Sequence, residues 1–111
     1  WKTLAEALAM VKDSGIQVDK AISVIADSSG GPTVLKNRAQ VVIDTLNGTD
    51  QPGTVDIETL RKDLDLALRQ AADSGVSMSI SKATRDAYDS AVEAGLGHFD
   101  GSSLTRFLSN G

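Results

Sequence analysis

The sequence predicts an all-α fold, a compact bundle of five to six helices. Three observations carry that prediction. Apolar residues recur at three- and four-residue steps nearly throughout. Clusters of turn formers cut this pattern into segments of helix length. Only 4% of the 111 residues are aromatic, while alanine recurs along the segments, which suits helices packed closely through Leu, Ile, Val and Ala.

The first segment carries Leu4, Leu8 and Val11 on one side and Glu6, Lys12 and Asp13 on others. Asp13-Ser14-Gly15 ends it, with Gly15 suited to the left-handed residue after a helix. A second helix spans about Val18 to Asp27, with Ala21, Ile22 and Ile25 in line. Ser28-Ser29-Gly30-Gly31-Pro32 breaks the chain. A third segment, Thr33 to Leu46, carries Val34, Leu35, Val42 and Leu46. The polar run Asn47 to Gly53 is the longest loop.

The fourth segment has the clearest stripe: Ile57, Leu60, Leu64, Ala67 and Ala71, widened by Leu68. Thr54 or Asp56 can cap its start, and Asp73-Ser74-Gly75 repeats the earlier stop. A fifth helix runs from about Ser79 to Glu93 through Ile80, Ala83, Ala87 and Ala91. Gly95, Gly97 and Gly101 punctuate the turn after it, and a short last helix carries Leu104, Phe107 and Leu108. Two stretches compete as strands. Val76-Ser77-Met78-Ser79-Ile80 alternates but is short and leads into a helix, and Val41-Val42-Ile43 has helical company on both sides.

One helical domain over residues 1–111 is the natural count at this length. With 11 basic and 15 acidic residues, the net charge of -4 argues against a nucleic-acid or anionic-membrane binder. The absence of cysteine excludes disulfides, thiolate zinc sites and a Cys nucleophile, and fits a cytoplasmic setting. No apolar run approaches the ~20 residues of a membrane-spanning helix, and no signal peptide is visible. The helical pattern is already running at Leu4 behind Trp1, which suggests a piece of something longer.

Few residues carry chemistry on their own. His98, the single histidine, lies in Gly95-Leu96-Gly97-His98-Phe99-Asp100. It reads either as a general base oriented by Asp100 or, more simply, as an exposed turn residue. The scattered acids Asp13, Asp19 and Asp27 lack metal-loop spacing, so no metal site is expected. Ser28 to Thr33 precedes a helix but lacks the Gly-Lys-Ser/Thr of a phosphate loop. Gly95, Gly97 and Gly101 have the wrong spacing for a dinucleotide fingerprint. Arg61-Lys62-Asp63-Leu64 sits mid-helix beside the best apolar stripe, where a solvated charged face is the simplest reading.

The order of these pieces nonetheless resembles a known domain. Leu60-Arg61-Lys62-Asp63-Leu64-Asp65-Leu66-Ala67-Leu68 is similar, without a gap, to the Leu-x-Lys-Asp-Leu-x-Leu-Ala helix of the β-hydroxyacid dehydrogenases. This is the 3-hydroxyisobutyrate dehydrogenase branch, related to 6-phosphogluconate dehydrogenase. Ala5-Glu6-Ala7-Leu8 … Gly15 resembles the end of that family's long interdomain helix. Ser28-Ser29-Gly30-Gly31 … Asn37-Arg38 resembles its Ser-Gly-x-Ser … Asn-Arg segment. Gly75-Val76-Ser77-Met78 looks like its Gly-Val-x-Leu/Met-Pro turn, with Ser79 where proline is frequent. Tyr88 … Ala94-Gly95-Leu96-Gly97 and Asp100 … Ser102 … Leu104 match its closing pattern.

The resemblance implies the helical C-terminal domain of an NAD- or NADP-dependent dehydrogenase of a small hydroxyacid. It implies a share of the active-site cleft and a homo-oligomeric interface. Lys62 carries over as the lysine near the cofactor, and Asp63 as the neighbour that helps organise the site. Val55 stands where the family often has Phe beside the substrate. The family's catalytic lysine and its glycine-rich cofactor fingerprint would both precede Trp1, so no catalytic residue is expected within the 111. The competing readings are a stand-alone helical interaction module, docking a partner helix on its Leu/Ala faces, and a relative that has kept the scaffold without catalysis.

Overall fold

The computed structural model describes residues 1–53 and 55–110. Six helices follow one another: α1 (Lys2–Val11), α2 (Val18–Asp27), α3 (Thr33–Leu46), α4 (Ile57–Asp73), α5 (Ser79–Glu93) and α6 (Ser103–Asn110). The described residues hold no strand, only two isolated antiparallel bridges, Pro52 with Phe99 and Asp56 with Asp100. Both alternating stretches are therefore loop or helix, as their helical neighbours predict. Backbone contacts divide the chain into two compact units, residues 1–51 with 102–111, and residues 52–101.

The first unit has an apolar core. Leu8 of α1, Ala21, Ile22 and Ala26 of α2, and Leu35 and Val42 of α3 are buried together. Trp1 and Leu4 pack against them. Burying one such Leu or Ile side chain contributes about 1.5–3 kcal/mol. Helix α1 lies on α6, α6 also meets α3, and α3 pairs with α2. Leu104 of α6 is fully buried, as its spacing predicts. Val34 departs from prediction: it is 52% exposed, because Leu35 one position on takes the inward place.

Polar contacts fix α6 to the loop after α3. The Asp50 carboxylate accepts hydrogen bonds from Ser103 Oγ at 2.7 Å and from the Arg106 guanidinium. Arg106 also donates to the Gly48 carbonyl at 3.3 Å. Thr45 and Ser102 share a hydroxyl–hydroxyl hydrogen bond at 3.2 Å, both side chains fully buried. Burial without such partners would cost about 1–3 kcal/mol per group.

The second unit is a helical hairpin. Helices α4 and α5 pack on one another across the 74–78 turn. Gly15 and Gly75, the two sequence stops, both adopt positive φ, +80° and +70°. The α4 stripe is only partly covered. Ile57 and Ala71 are buried, Leu60, Leu64 and Leu68 are half-buried, and Ala67 is exposed. On α5, Tyr88 and Ala91 are buried while Ile80 is 80% exposed. Periodicity marks the face of a helix, but one partner helix covers only part of it.

The glycine pair before α3 serves packing. A Cβ on Gly31 would stand 2.4 Å from the Ile25 carbonyl oxygen and 2.5 Å from that of Ala26, whereas one on Gly30 would meet nothing within 4 Å. These oxygens belong to the backbone of α2 and cannot swing away. Gly31→Ala should therefore destabilise the protein by about 1–3 kcal/mol, the usual cost of overpacking. Gly30→Ala should leave it nearly unchanged. Paired thermal melts by circular dichroism check this, and equal melting temperatures would contradict the assigned close approach.

Candidate functional site

Two of the three candidate residues, Lys62 and Asp63, lie on α4, and the start of that helix sets where they point. The N–H groups of the cap and of the first three helical residues have no partner inside a helix. Here Ile57 N–H donates to the Phe99 carbonyl at 3.0 Å, and Glu58 N–H to the Gly97 carbonyl at 2.9 Å. Thr59 N–H donates to Asp56 Oδ1 at 2.8 Å, so Asp56 is the cap. Thr54, the other capping candidate, lies outside the described residues. Gly53 lets the strand-like approach close: a Cβ there would stand 2.7 Å from Asp100 Cα. These three donors are therefore already used within the protein.

Lys62 stands in the second turn, about 8 Å along the axis from Ile57. Its side chain is 69% exposed, and its ammonium lies 3.7 Å from Glu58 Oε1, one turn back. Asp63 is also exposed, about 100° further round the helix. It edges an open cavity of ≈ 290 Å³ with Leu60 and Leu64 of α4 and Thr84 and Tyr88 of α5. The structure thus puts Lys62 and Asp63 on one accessible stretch of helix, with an apolar floor beside Asp63. Val55 lies in the loop ahead of the cap, half-exposed and apart from that stretch.

Beneath these two runs a network that spacing alone did not single out. Arg61 donates to both oxygens of Glu58, at 2.6 and 3.1 Å, and to Asp89 of α5 at 3.2 Å. Arg85 of α5 reaches back to Asp65 of α4 at 2.9 Å, and to Asp86 and Asp89 on its own helix at 3.2 and 3.3 Å. The signal within α4 was present, since Glu58, Arg61 and Asp65 sit three or four residues apart. The partners on α5 are non-local and leave no such trace.

The network shifts its members in the expected directions. Hydrogen bonds from Arg61 hold the Glu58 carboxyl below its ordinary value, and those from Thr59 do the same for Asp56. Hydrogen bonds to Glu58 and Asp89 raise the Arg61 guanidinium further, and those to Asp86 and Asp65 raise Arg85. Burial pushes the Tyr88 phenol up to about 12.

The other sequence candidates are dispersed. His98 is on the surface, its side chain 96% exposed and its Nδ1 3.7 Å from Asp56 rather than buried in a catalytic arrangement. Asp100 is buried at 4% exposure. Among the described residues no group of three His, Cys, Asp or Glu side chains is placed to hold a metal ion. A cavity of ≈ 440 Å³ in the first unit is lined by Trp1, Leu4, Ile25, Pro32, Val34 and Leu35 among others, with no ionisable side chain. None of the described helices is long and apolar enough to cross a membrane.

Residues 2–108 match the family model described as NAD-binding of NADP-dependent 3-hydroxyisobutyrate dehydrogenase. The chain belongs to this family. No curated protein matches the sequence significantly. Among solved structures, 3-hydroxyisobutyrate dehydrogenase from Salmonella typhimurium superposes with a TM-score of 0.82 at 27% identity. The match covers 95% of this chain and 35% of that one, so the chain spans about a third of that enzyme's length. The six-helix architecture is that of the family's helical part, and the sequence resemblance to it holds along nearly the whole chain.

Two titrations check the electrostatics of this 3-hydroxyisobutyrate dehydrogenase-family hairpin. Glu58 and Asp56 sit below their ordinary values of 4.5 and 3.8, so the stability they give is present above those values and is lost as pH falls below them. Arg61→Met should remove the Glu58 part of that acid loss, read as a flatter melting-temperature profile between about pH 5 and 3. An unchanged profile would show that the Arg61 fork does not hold Glu58. Tyr88 is the single tyrosine. Its ultraviolet phenolate transition should come near 12, and a midpoint near the ordinary value of 10.0 would mean that Tyr88 is not buried. A neutral phenol favoured by burial gives stability below pH 10 that is lost as pH rises towards 12.

Proposed function

We propose that this chain is the helical part of an NAD- or NADP-dependent oxidoreductase acting on a small β-hydroxyacid of the 3-hydroxyisobutyrate type. It forms one wall of the active-site cleft and a subunit interface of a homo-oligomer in the cytoplasm. The observation that carries this reading is the accessible Lys62-Asp63 pair on α4, inside a segment whose family is described as NAD-binding.

The donor chemistry fits a share in holding the cofactor. Lys62 offers an exposed ammonium with three N–H donors, whose ion partner Glu58 is at 3.7 Å and leaves those donors unsaturated. Asp63 offers acceptor oxygens beside the Leu60 and Leu64 side chains. When bound, the dinucleotide supplies the hydride acceptor. Lys62 then donates to an anionic or carbonyl oxygen, Asp63 accepts from a hydroxyl or amide, and the leucines limit water on that side. Val55 presents an apolar surface suited to the carbon skeleton of the substrate. Most of the cofactor's grip, and the general acid–base lysine, belong to the part of such an enzyme that corresponds to no residue here.

The test is Lys62→Ala in the full-length protein. Loss of one hydrogen bond from a charged group costs about 1.5–3 kcal/mol, so KM for the dinucleotide should rise on the order of tenfold or more. Far-ultraviolet circular dichroism should be unchanged, since position 62 is exposed. Unaltered cofactor KM and turnover would remove Lys62 from the site and the reading with it.

A further inference from the structure

We infer that Glu58 is a positioning residue, holding the Lys62 ammonium where it meets the cofactor. The inference rests on the reading of Lys62 as a cofactor contact and adds the group that aims it. A lysine ammonium rides on a flexible four-carbon stem, and an exposed one samples many rotamers. At 69% exposure Lys62 has little packing to select among them. An isolated exposed i,i+4 pair would not select either, being worth about 0–1 kcal/mol.

Glu58 is not an isolated surface acid. Its side chain is 23% exposed. Both carboxylate oxygens are taken by one guanidinium, Oε1 by Arg61 Nη2 at 2.6 Å and Oε2 by Arg61 Nε at 3.1 Å. This two-point fork fixes the plane of the carboxylate as well as its place. Arg61 is anchored in turn by Asp89 on α5, at 3.2 Å. The Glu58 backbone is tied separately, through its N–H to the Gly97 carbonyl at 2.9 Å. A carboxylate pinned at main chain and side chain is a stationary negative charge, and its Oε1 is the atom nearest Lys62.

The separation matters as much as the anchoring. At 3.7 Å the attraction draws the ammonium over Glu58 without using up its short hydrogen bonds. Lys62 is thus confined in direction while its N–H groups stay available. Arg61, three of whose N–H donors serve Glu58 and Asp89, acts on Lys62 through this relay.

The experiment is a double-mutant cycle in the full-length enzyme, reading KM for the dinucleotide and kcat separately. Glu58→Gln keeps the shape and removes the charge. It should raise the cofactor KM several-fold with little change in kcat, and have no further effect once Lys62→Ala is present. Arg61→Lys keeps a positive charge but loses the fork, and should shift KM in the same direction, again only while Lys62 is present; it decides the matter if Glu58→Gln folds poorly. A Glu58→Gln effect that persists undiminished on the Lys62→Ala background would make Glu58 merely structural and overturn the inference. A Glu58→Gln enzyme with normal KM, beside a Lys62→Ala enzyme with raised KM, would overturn this inference alone. A Lys62→Ala enzyme with normal KM would overturn both it and the functional reading on which it rests.

Discussion

Helix α4 begins at Ile57 because three of its backbone donors are met from outside the helix, two of them by a turn some forty residues downstream. Carbonyls of Phe99 and Gly97 accept from Ile57 and Glu58, and the Asp56 side chain accepts from Thr59. That closure sets the rotational phase of everything that follows on α4. Starting the helix one residue later would turn each side chain by about 100°. Lys62 and Asp63 would then leave the accessible row, and Arg61 would no longer meet Asp89 of α5. The absence of a Cβ at Gly53 lets the incoming chain lie close to Asp100 and completes the seal. The phase of α4 is thus set by two main-chain hydrogen bonds and one side-chain cap.

The two units reach stability by different means. The first buries a contiguous set of aliphatic side chains from α1, α2 and α3. The second buries few, and joins α4 to α5 through two arginines placed between aspartates of both helices. Single exposed ion pairs contribute about 0–1 kcal/mol, but shared, forked arrangements hold geometry better than that figure suggests. Arginine suits this place because its planar fork can serve several carboxylates at once, which a lysine cannot. The consequence for function is that the ordering of α4 side chains depends on α5.

Much of this was legible in the sequence, for identifiable reasons. Helix limits followed from local chemistry: the Asp56 cap, the Gly15 and Gly75 stops and the Gly30-Gly31-Pro32 break each act within a few residues. The family followed from ordered motifs, above all Lys62-Asp63-Leu64 in its apolar frame, and the family model spans nearly the same stretch. Depth of burial was less legible. Leu60, Leu64 and Leu68 repeat as strongly as any core stripe, yet remain half-buried, because repetition says which way residues face and not what covers them. The docking of the 97–100 turn and the Arg61–Asp89 contact were invisible for a related reason. Both join residues far apart in sequence, through backbone atoms or single charges that leave no periodic mark.

The sparse aromatic content has a practical consequence. The chain holds one tryptophan and one tyrosine. Trp1 packs against the aliphatic core of the first unit, while Tyr88 is buried in the second. Each unit therefore carries its own chromophore, and nature has labelled them separately. Indole emission reports the melting of one, and phenol absorbance that of the other. Whether the two halves of the chain unfold as a single cooperative body or in succession can be read from one unlabelled sample, by asking whether both signals change together.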